Sequence, residues 1–150
     1  MLNIAILDAI RNSNHEYITA IDIANHLINI PSDEMNRWNV LGRNLLAAIL
    51  IHAVYTNTDP LTTLRKFSDL SDILKPLLAL RDASHDPEHV FGWMTIDTNL
   101  PTATHPTVTR AVYTMFGTMR IEWSGIWVNA AGPLRAWIDN IDDATANLAA

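Results

Sequence analysis

The chain lacks cysteine altogether, and it contains only two lysines and five glycines in 150 residues. Without cysteine it can form no disulfide and no cysteine-ligated zinc or iron–sulfur centre. No glycine begins a G-x-x-x-x-G-K-[ST] pattern, so the usual phosphate-binding loop of nucleotide hydrolases is absent. The formal net charge is −6, which suits a basic protein partner better than the phosphates of a nucleic acid.

Long apolar runs and strand patterns are scarce as well. The unbroken apolar run Leu45–Ile51 is far shorter than the roughly 20 residues of a membrane span. No alternating run exceeds about four residues, and Asn-Gly and Asp-Gly hairpin turns are missing. Hydrophobic residues make up 49% of the chain and charged residues 17%, which is typical of a globular protein. We therefore expect an all-α fold: one compact domain, residues 1–150, of about six to eight helices.

The strongest helical pattern covers roughly residues 33–55. Pro31 interrupts any earlier helix, and Ser32 or Asp33 can cap the new one. The second half of this stretch is apolar on every side, which predicts a central helix covered by its neighbours. Spacings of three and four place these residues on one face: Met35, Trp38, Leu41, Leu45, Ala48, Ile49 and His52.

Prolines divide the rest of the chain. Pro60 after Asp59 and Pro106 after His105 each suit a helix start. Pro76 lies inside an apolar pattern over residues 68–80, where we expect a kink or a break. Gly132-Pro133 is expected to separate two helices near the end of the chain.

Tryptophans and acidic residues supply the candidate binding surface. Trp38, Trp123, Trp127 and Trp137 follow the helical apolar pattern, so we expect them in the core. Trp93 lies beside a loop-rich region and can be partly exposed. The acids around it could dock basic residues of a protein partner, although a solvated acidic face would look the same. The predicted protein-binding residues are Asp82, Asp86, Glu88, Trp93 and Asp97.

No catalytic, cofactor or metal site is predicted. His85 and His89 have a spacing that could present two metal ligands, but Pro87 lies between them and no third ligand is evident. His52 falls on the apolar central helix, where a core histidine bonded to a backbone carbonyl is the better interpretation. The hydroxyl groups of Thr118 and Ser124 have no nearby acid–base partner.

Several segments resemble the motifs of one family in their order along the chain. Ile23-Ala-Asn-His-Leu27 is similar to an "I-A-x-x-L" helix, and Trp38–Leu50 to "W-x-x-x-A-x-x-L-L-x-A-L-I-L" with Gly42 where Ala is usual. The other matching segments are Leu2–Ile10 (an "N-P-L-x-x-I" entry with Ile4 for Pro), Leu61–Leu70, Ile73–Leu80, His105-Pro106, Ser124–Ala130, Leu134 and Ala144-Thr-Ala146.

This ordered series resembles the all-alpha domain of VirD4/TraG-type coupling proteins of type IV secretion and conjugation systems. The resemblance implies a substrate-recognition domain, excised from a membrane-anchored hexameric ATPase, that is itself soluble and monomeric and faces the cytoplasm at the bacterial inner membrane. It would bind effector or relaxase proteins that carry C-terminal signals, without catalysis or cofactor.

Two alternatives remain open. A stand-alone helical DNA-binding or regulatory protein would need a basic helix face, and Arg37 and Arg43, six residues apart, do not make one. A small helical enzyme with its site at His85 and His89 would retain a metal after purification. We favour a protein partner over direct contact with DNA.

Overall fold

The computed structural model of the protein describes residues 4–11, 15–56, 59–85 and 105–149. The regular structure in these ranges is helical throughout, without a strand, so the all-α prediction is confirmed. None of the described helices has the length and apolarity needed to cross a bilayer. The α-helices are α1 (Asp8–Arg11), α2 (Glu16–Ile28), α3 (Arg37–Tyr55), α4 (Pro60–Lys66), α5 (Leu74–Arg81), α6 (Pro106–Phe116) and α7 (Trp123–Ala149); 3₁₀ turns form at Ile4–Leu7, Ser32–Glu34 and Arg120–Glu122.

Helix α3 lies at the centre of the domain, as predicted. Every side chain from Leu45 to Ala53 is buried, and α3 contacts α1, α2, α4, α6 and α7. The helix starts later than expected, because its N-cap is Asn36 rather than Ser32 or Asp33. The Asn36 side chain accepts the Asn39 N–H at 2.9 Å, and the Asn39 side chain accepts the Asn36 N–H at 3.2 Å. These reciprocal bonds satisfy two of the N–H groups that a helix start leaves free.

Helices α3 and α7 cross with little space between their backbones. A Cβ atom added to Gly42 on α3 would lie 2.5 Å from the Asn129 Cβ on α7. A Cβ atom added to Gly125 on α7 would lie 2.7 Å from the Trp38 ring. The Asn39 side chain donates a hydrogen bond to the Asn129 side chain in the same contact. The two glycines therefore permit an approach that alanine at either position would obstruct.

Helix α7 continues through Gly132 and Pro133, so the prediction of two separate helices is wrong. Proline removes one backbone hydrogen bond there. The buried apolar residues on both sides of Pro133 nevertheless keep one helical spacing and pack into the same core. Burying both groups outweighs the cost of the proline. The buried residues are Ile126, Trp127 and Ala130 before Pro133, and Leu134, Trp137 and Ile138 after it.

The helix starts at Pro60 and Pro106 are confirmed. Each proline is the first residue of its helix, where its missing N–H would have no partner within the helix. The Asp59 side chain caps α4 by accepting the Thr62 N–H at 3.1 Å. The His105 ring caps α6, with Nδ1 accepting the Thr107 N–H at 3.1 Å.

Residues 68–73 are not helical, contrary to the predicted helix over residues 68–80. Asp69 Oδ1 accepts the Ser71 N–H at 2.9 Å, which closes a local turn in competition with a helix. Helix α5 begins only at Leu74, so Pro76 falls in its first turn. No hydrogen bond is lost in that turn, and Pro76 causes neither a kink nor a break.

The core prediction for the tryptophans is confirmed for Trp127 and Trp137, which are buried, and in part for Trp123, which is half-buried against the core. It is wrong for Trp38, which is 43% exposed. Trp38 lies in the first turn of α3, at the edge of the packed region, where its ring covers Gly125. Trp93 lies outside the described residues.

Candidate functional site

A cavity of about 780 Å³ opens beside the C-terminal half of α3. Its walls come from α3, α4 and α5, from the end of α1, from the segment between α4 and α5, and from residues 83–85. The volume is in the range of small-ligand pockets, roughly 300–1,000 Å³. Its apolar lining includes Phe67, Pro76, Ala79 and Ala83, and its uncharged polar lining includes Tyr55, Thr56, Thr63 and Ser84.

Positive charge is concentrated at this cavity. Lys66 and Lys75, the two lysines of the chain, line it together with Arg11 and Arg65. Four of the ten cationic residues of an acidic protein thus share one concave surface. Because the low-dielectric walls of a cleft focus the field of the charges within it, the cavity attracts anions.

The acids in the lining, Asp69 and Asp72, are held by local hydrogen bonds. Asp69 Oδ1 accepts the Ser71 hydroxyl at 2.7 Å as well as the Ser71 N–H, and these bonds lower the pKa of Asp69. Asp72 Oδ1 accepts the Lys75 N–H at 3.3 Å. Four cations therefore face two carboxylates, and the lining keeps a net positive charge.

His52 lines the same cavity although it is only 8% exposed. Its Nδ1 lies 2.8 Å from Nε2 of His85, and its ring stands edge-on to Phe67 with the centroids 5.3 Å apart. The core position predicted for His52 is confirmed, but its partner is His85 instead of a backbone carbonyl. Among the described residues, nothing forms a hydrogen bond with the other ring nitrogen, Nε2.

A backbone N–H fixes the tautomers of these rings. The His105 N–H donates to Nδ1 of His85 at 2.9 Å, so this nitrogen is an acceptor without a hydrogen. Neutral His85 therefore carries its hydrogen on Nε2 and donates it to Nδ1 of His52. Neutral His52 then carries its own hydrogen on Nε2, where no described residue accepts it. We call His52, His85 and His105 the histidine relay.

Glu16 anchors the other end of the histidine relay. His105 accepts a backbone N–H at Nδ1, so its hydrogen lies on Nε2, 3.5 Å from the Glu16 carboxylate. The Tyr55 hydroxyl donates to the same carboxylate oxygen at 2.6 Å. The Arg11 guanidinium lies 5.1 Å from the centroid of the Tyr55 ring. Tyr55 thereby connects the relay to one of the cations of the cavity.

Burial keeps the relay neutral at physiological pH. It lowers the pKa of His52 to about 4, with a smaller effect from the charge of Lys66. Burial also lowers the pKa of His85 to about 3, assisted by the neighbouring histidines. The pKa of His105 is lowered by burial too, although Glu16 opposes the change. The relay is therefore a fixed set of neutral donors and acceptors, suited to positioning a hydrogen bond.

The structure places one of the five predicted binding residues. Asp82 is exposed just after α5, where its carboxylate accepts hydrogen bonds from the Arg81 side chain at 2.9 and 3.2 Å. It does not line the cavity. Asp86, Glu88, Trp93 and Asp97 lie outside the described residues, so their grouping stays a prediction.

The proposed metal pair of His85 and His89 gains no support from His85. Both ring nitrogens of His85 are occupied by hydrogen bonds within the relay. No cluster of three or more histidine and carboxylate side chains in the described ranges is arranged to hold a metal ion. His89 lies outside those ranges.

Sequence reasoning missed the cavity, because its residues come from distant parts of the chain. Arg11, His52, Lys66 and Lys75 share no motif, and only folding brings them together. The one sequence signal that could have indicated the cavity was the local clustering of lysine. Both lysines of the chain fall within ten residues, on either side of the Ser- and Asp-rich segment 68–72.

Comparisons of the chain with models of protein families, with curated proteins and with solved structures give no match. The function of the chain is therefore inferred from the cavity, from its charges and from the ordered motifs described above. The cavity and the grouping of its charges are seen only in the folded chain, whereas the motifs are features of the sequence.

Proposed function

We propose that this protein is the substrate-recognition domain of a type IV secretion coupling protein. In this proposal it binds the tails of effector or relaxase proteins and catalyses no reaction. The domain faces the cytoplasm at the bacterial inner membrane, and the ATPase and membrane anchor belong to other parts of a longer hexameric protein. The isolated domain is monomeric.

The observation that carries the proposal is the cavity beside α3. A binding module needs a concave surface with a few fixed polar groups among apolar ones, and this cavity combines both. Its buried histidine is held in one tautomer and is too weak a base to take a proton near neutral pH. Such a group suits recognition better than general base catalysis.

The fold and the order of motifs support the same proposal. The family that the sequence resembles uses an all-α domain for this task, and the chain folds as all-α. Helix α3, which contains the segment most similar to that family, is the buried centre of the domain. Recognition would then fall to the shorter helices and loops around α3, where the cavity lies.

A protein partner fits the charges better than DNA. Nucleic-acid binding uses cations spread along a face that follows the phosphates, whereas these cations line one cavity together with two carboxylates. Arg37 on α3 is paired with Glu122, and Arg43 is half-buried with its guanidinium near the sulfur of Met35. Neither arginine contributes to an extended basic face.

A titration followed by NMR tests the proposal. The ¹⁵N-labelled protein is mixed with C-terminal tails of candidate effectors and relaxases, with scrambled versions of the same tails, and with single- and double-stranded DNA at physiological salt. We expect saturable shifts with an unscrambled tail and none with DNA. Tight DNA binding that weakens steeply with salt, or no binding of any tail, would contradict the proposal.

A further inference from the structure

We propose that the cavity beside α3 binds the free C-terminal carboxylate of a partner's tail, between the ammonium group of Lys66 and the Nε2–H of His52. This inference deepens the proposed function and rests on it, because it assigns the end of the recognised tail to one site.

A pair of donors supports the carboxylate site. Lys66 and His52 both line the cavity, and Lys66 directly precedes Phe67, whose ring contacts His52. His52 is more than nine-tenths buried, and its Nε2 has no hydrogen-bond partner among the described residues. A carboxylate is an acceptor-only group with two oxygens, so one oxygen can meet the ammonium group and the other the ring N–H.

An apolar wall lies beside these donors. Phe67 stands edge-on to His52, and Pro76 and Ala79 line the same cavity. A C-terminal residue carries its carboxylate and its side chain on one Cα atom. An apolar last residue can therefore place its side chain on this wall while its carboxylate meets Lys66 and His52.

Asp69 and Asp72 in the same lining favour a carboxylate over a phosphate. A phosphate group carries more negative charge than a carboxylate, and it would meet these two acids at greater cost. A basic residue just before the end of the tail can pair with them instead. The partner's tail would then carry a negative carboxylate at its end and basic residues before it. Basic residues in the partner also suit the net charge of −6 of this protein.

The test uses matched peptides. Acetyl-Arg-Ser-Ala-Leu with a free carboxylate, the same peptide with a C-terminal amide, and inorganic phosphate are each titrated into the ¹⁵N-labelled protein. We expect the free acid to shift the ring nitrogens of His52 and signals around Lys66, with the amide at least about tenfold weaker. Equal binding of acid and amide, or tighter binding of phosphate at the same residues, would overturn the inference.

Two variants locate the site. Lys66→Met and Lys75→Met keep an unbranched side chain and remove one charge from the lining, so each should weaken binding of the free acid, Lys66→Met by at least about fivefold. Arg110→Met is the matched control, because Arg110 is exposed on α6 away from the cavity. Unchanged affinity in Lys66→Met, with the fold intact by circular dichroism, would overturn the assignment.

The same variants separate this inference from the proposed function. If secreted tails bind the wild-type protein and Lys66→Met equally well, the carboxylate site is wrong and the recognition function stands. If the short free-acid peptide binds at His52 and no secreted tail binds at all, the carboxylate site stands and the proposed function fails.

Discussion

A chain of hydrogen bonds runs from the His105 backbone N–H through the His85 ring to the His52 ring, and it exists only while the rings of His85 and His52 are neutral. A proton added to Nδ1 of His85 would meet the His105 N–H, which also donates. A proton added to Nδ1 of His52 would meet the hydrogen on Nε2 of His85. Each protonation therefore replaces a hydrogen bond by a contact between two donors in the core.

Acid should accordingly destabilise the protein. In the unfolded chain these histidines have their ordinary pKa near 6.5, whereas the folded pKa of His52 is about 4 and that of His85 about 3. A lowered histidine pKa gives stability that is present above pH 6.5 and is lost as the pH falls toward the folded values. Between pH 7 and pH 5 we expect a loss of about 2 kcal/mol from each of the two histidines, measured by urea unfolding.

Two variants check the origin of this loss. His52→Leu should reduce the difference between pH 7 and pH 5 by about half, because only one strongly shifted ring remains. His26→Gln changes an exposed histidine on α2 and should leave the difference as it is. A wild-type difference below about 0.5 kcal/mol would contradict the assignment of neutral rings.

At the scale of single elements, substitutions at the start of α3 distinguish the observed cap, Asn36, from Asp33, one of the two predicted caps. Asn36→Ala removes the side chain that accepts the Asn39 N–H, so it should lower the free energy of unfolding by about 1 kcal/mol. Asp33→Ala changes an exposed residue of the preceding 3₁₀ turn and should have an effect within about 0.5 kcal/mol. Chemical denaturation compares the two variants, and a larger effect of Asp33→Ala would indicate that Asp33 caps α3 as the sequence predicted.

The two internal prolines should respond in opposite directions. Pro133→Ala restores a donor inside the continuous helix α7 and should raise the free energy of unfolding by about 1–3 kcal/mol. Pro76→Ala, in the first turn of α5, restores no needed donor, loses buried atoms and frees the unfolded chain. It should cost about 1 kcal/mol by thermal or urea unfolding. A destabilised Pro133→Ala would indicate that α7 needs its proline.

Short sequence motifs predicted correctly those helix starts that depend only on neighbouring residues. Asp59 before Pro60 and His105 before Pro106 mark helix starts that neighbouring residues alone determine. Pro133 could not be judged in this way, since the core contacts of both halves of α7 decide that the helix continues. The cap at Asn36 was missed because Ser32 and Asp33 carry the same chemical signal a few residues earlier.

For the whole molecule, the buried centre is the feature on which stability depends. Leu46→Asp would place a charge at a fully buried position of α3 without a partner. We expect a loss above about 4 kcal/mol, enough to unfold the domain as seen by circular dichroism. Val128→Asp, at an exposed position of α7, is the matched control. A folded Leu46→Asp variant would show that α3 is not the structural centre.

The whole molecule also explains why the site was less predictable than the fold. Apolar periodicity identified α3 as the central helix, because burial leaves a regular pattern along a helix. The cavity combines Arg11, His52 and two lysines, which share one lining only because of how α1, α3, α4 and α5 pack. Asp82, which is predicted to be part of an acidic docking surface, is exposed and pairs with its neighbour Arg81.

The close crossing of α3 and α7 couples the residues that are allowed at two positions distant in the sequence. A methyl group at position 42 would meet the Asn129 Cβ, an atom that every residue except glycine carries, so a side chain at position 42 requires a change on α7. Positions 42 and 129 should therefore covary among relatives of this chain. Where such a relative carries alanine at position 42, glycine at position 129 or a wider separation of the two helices is the expected companion.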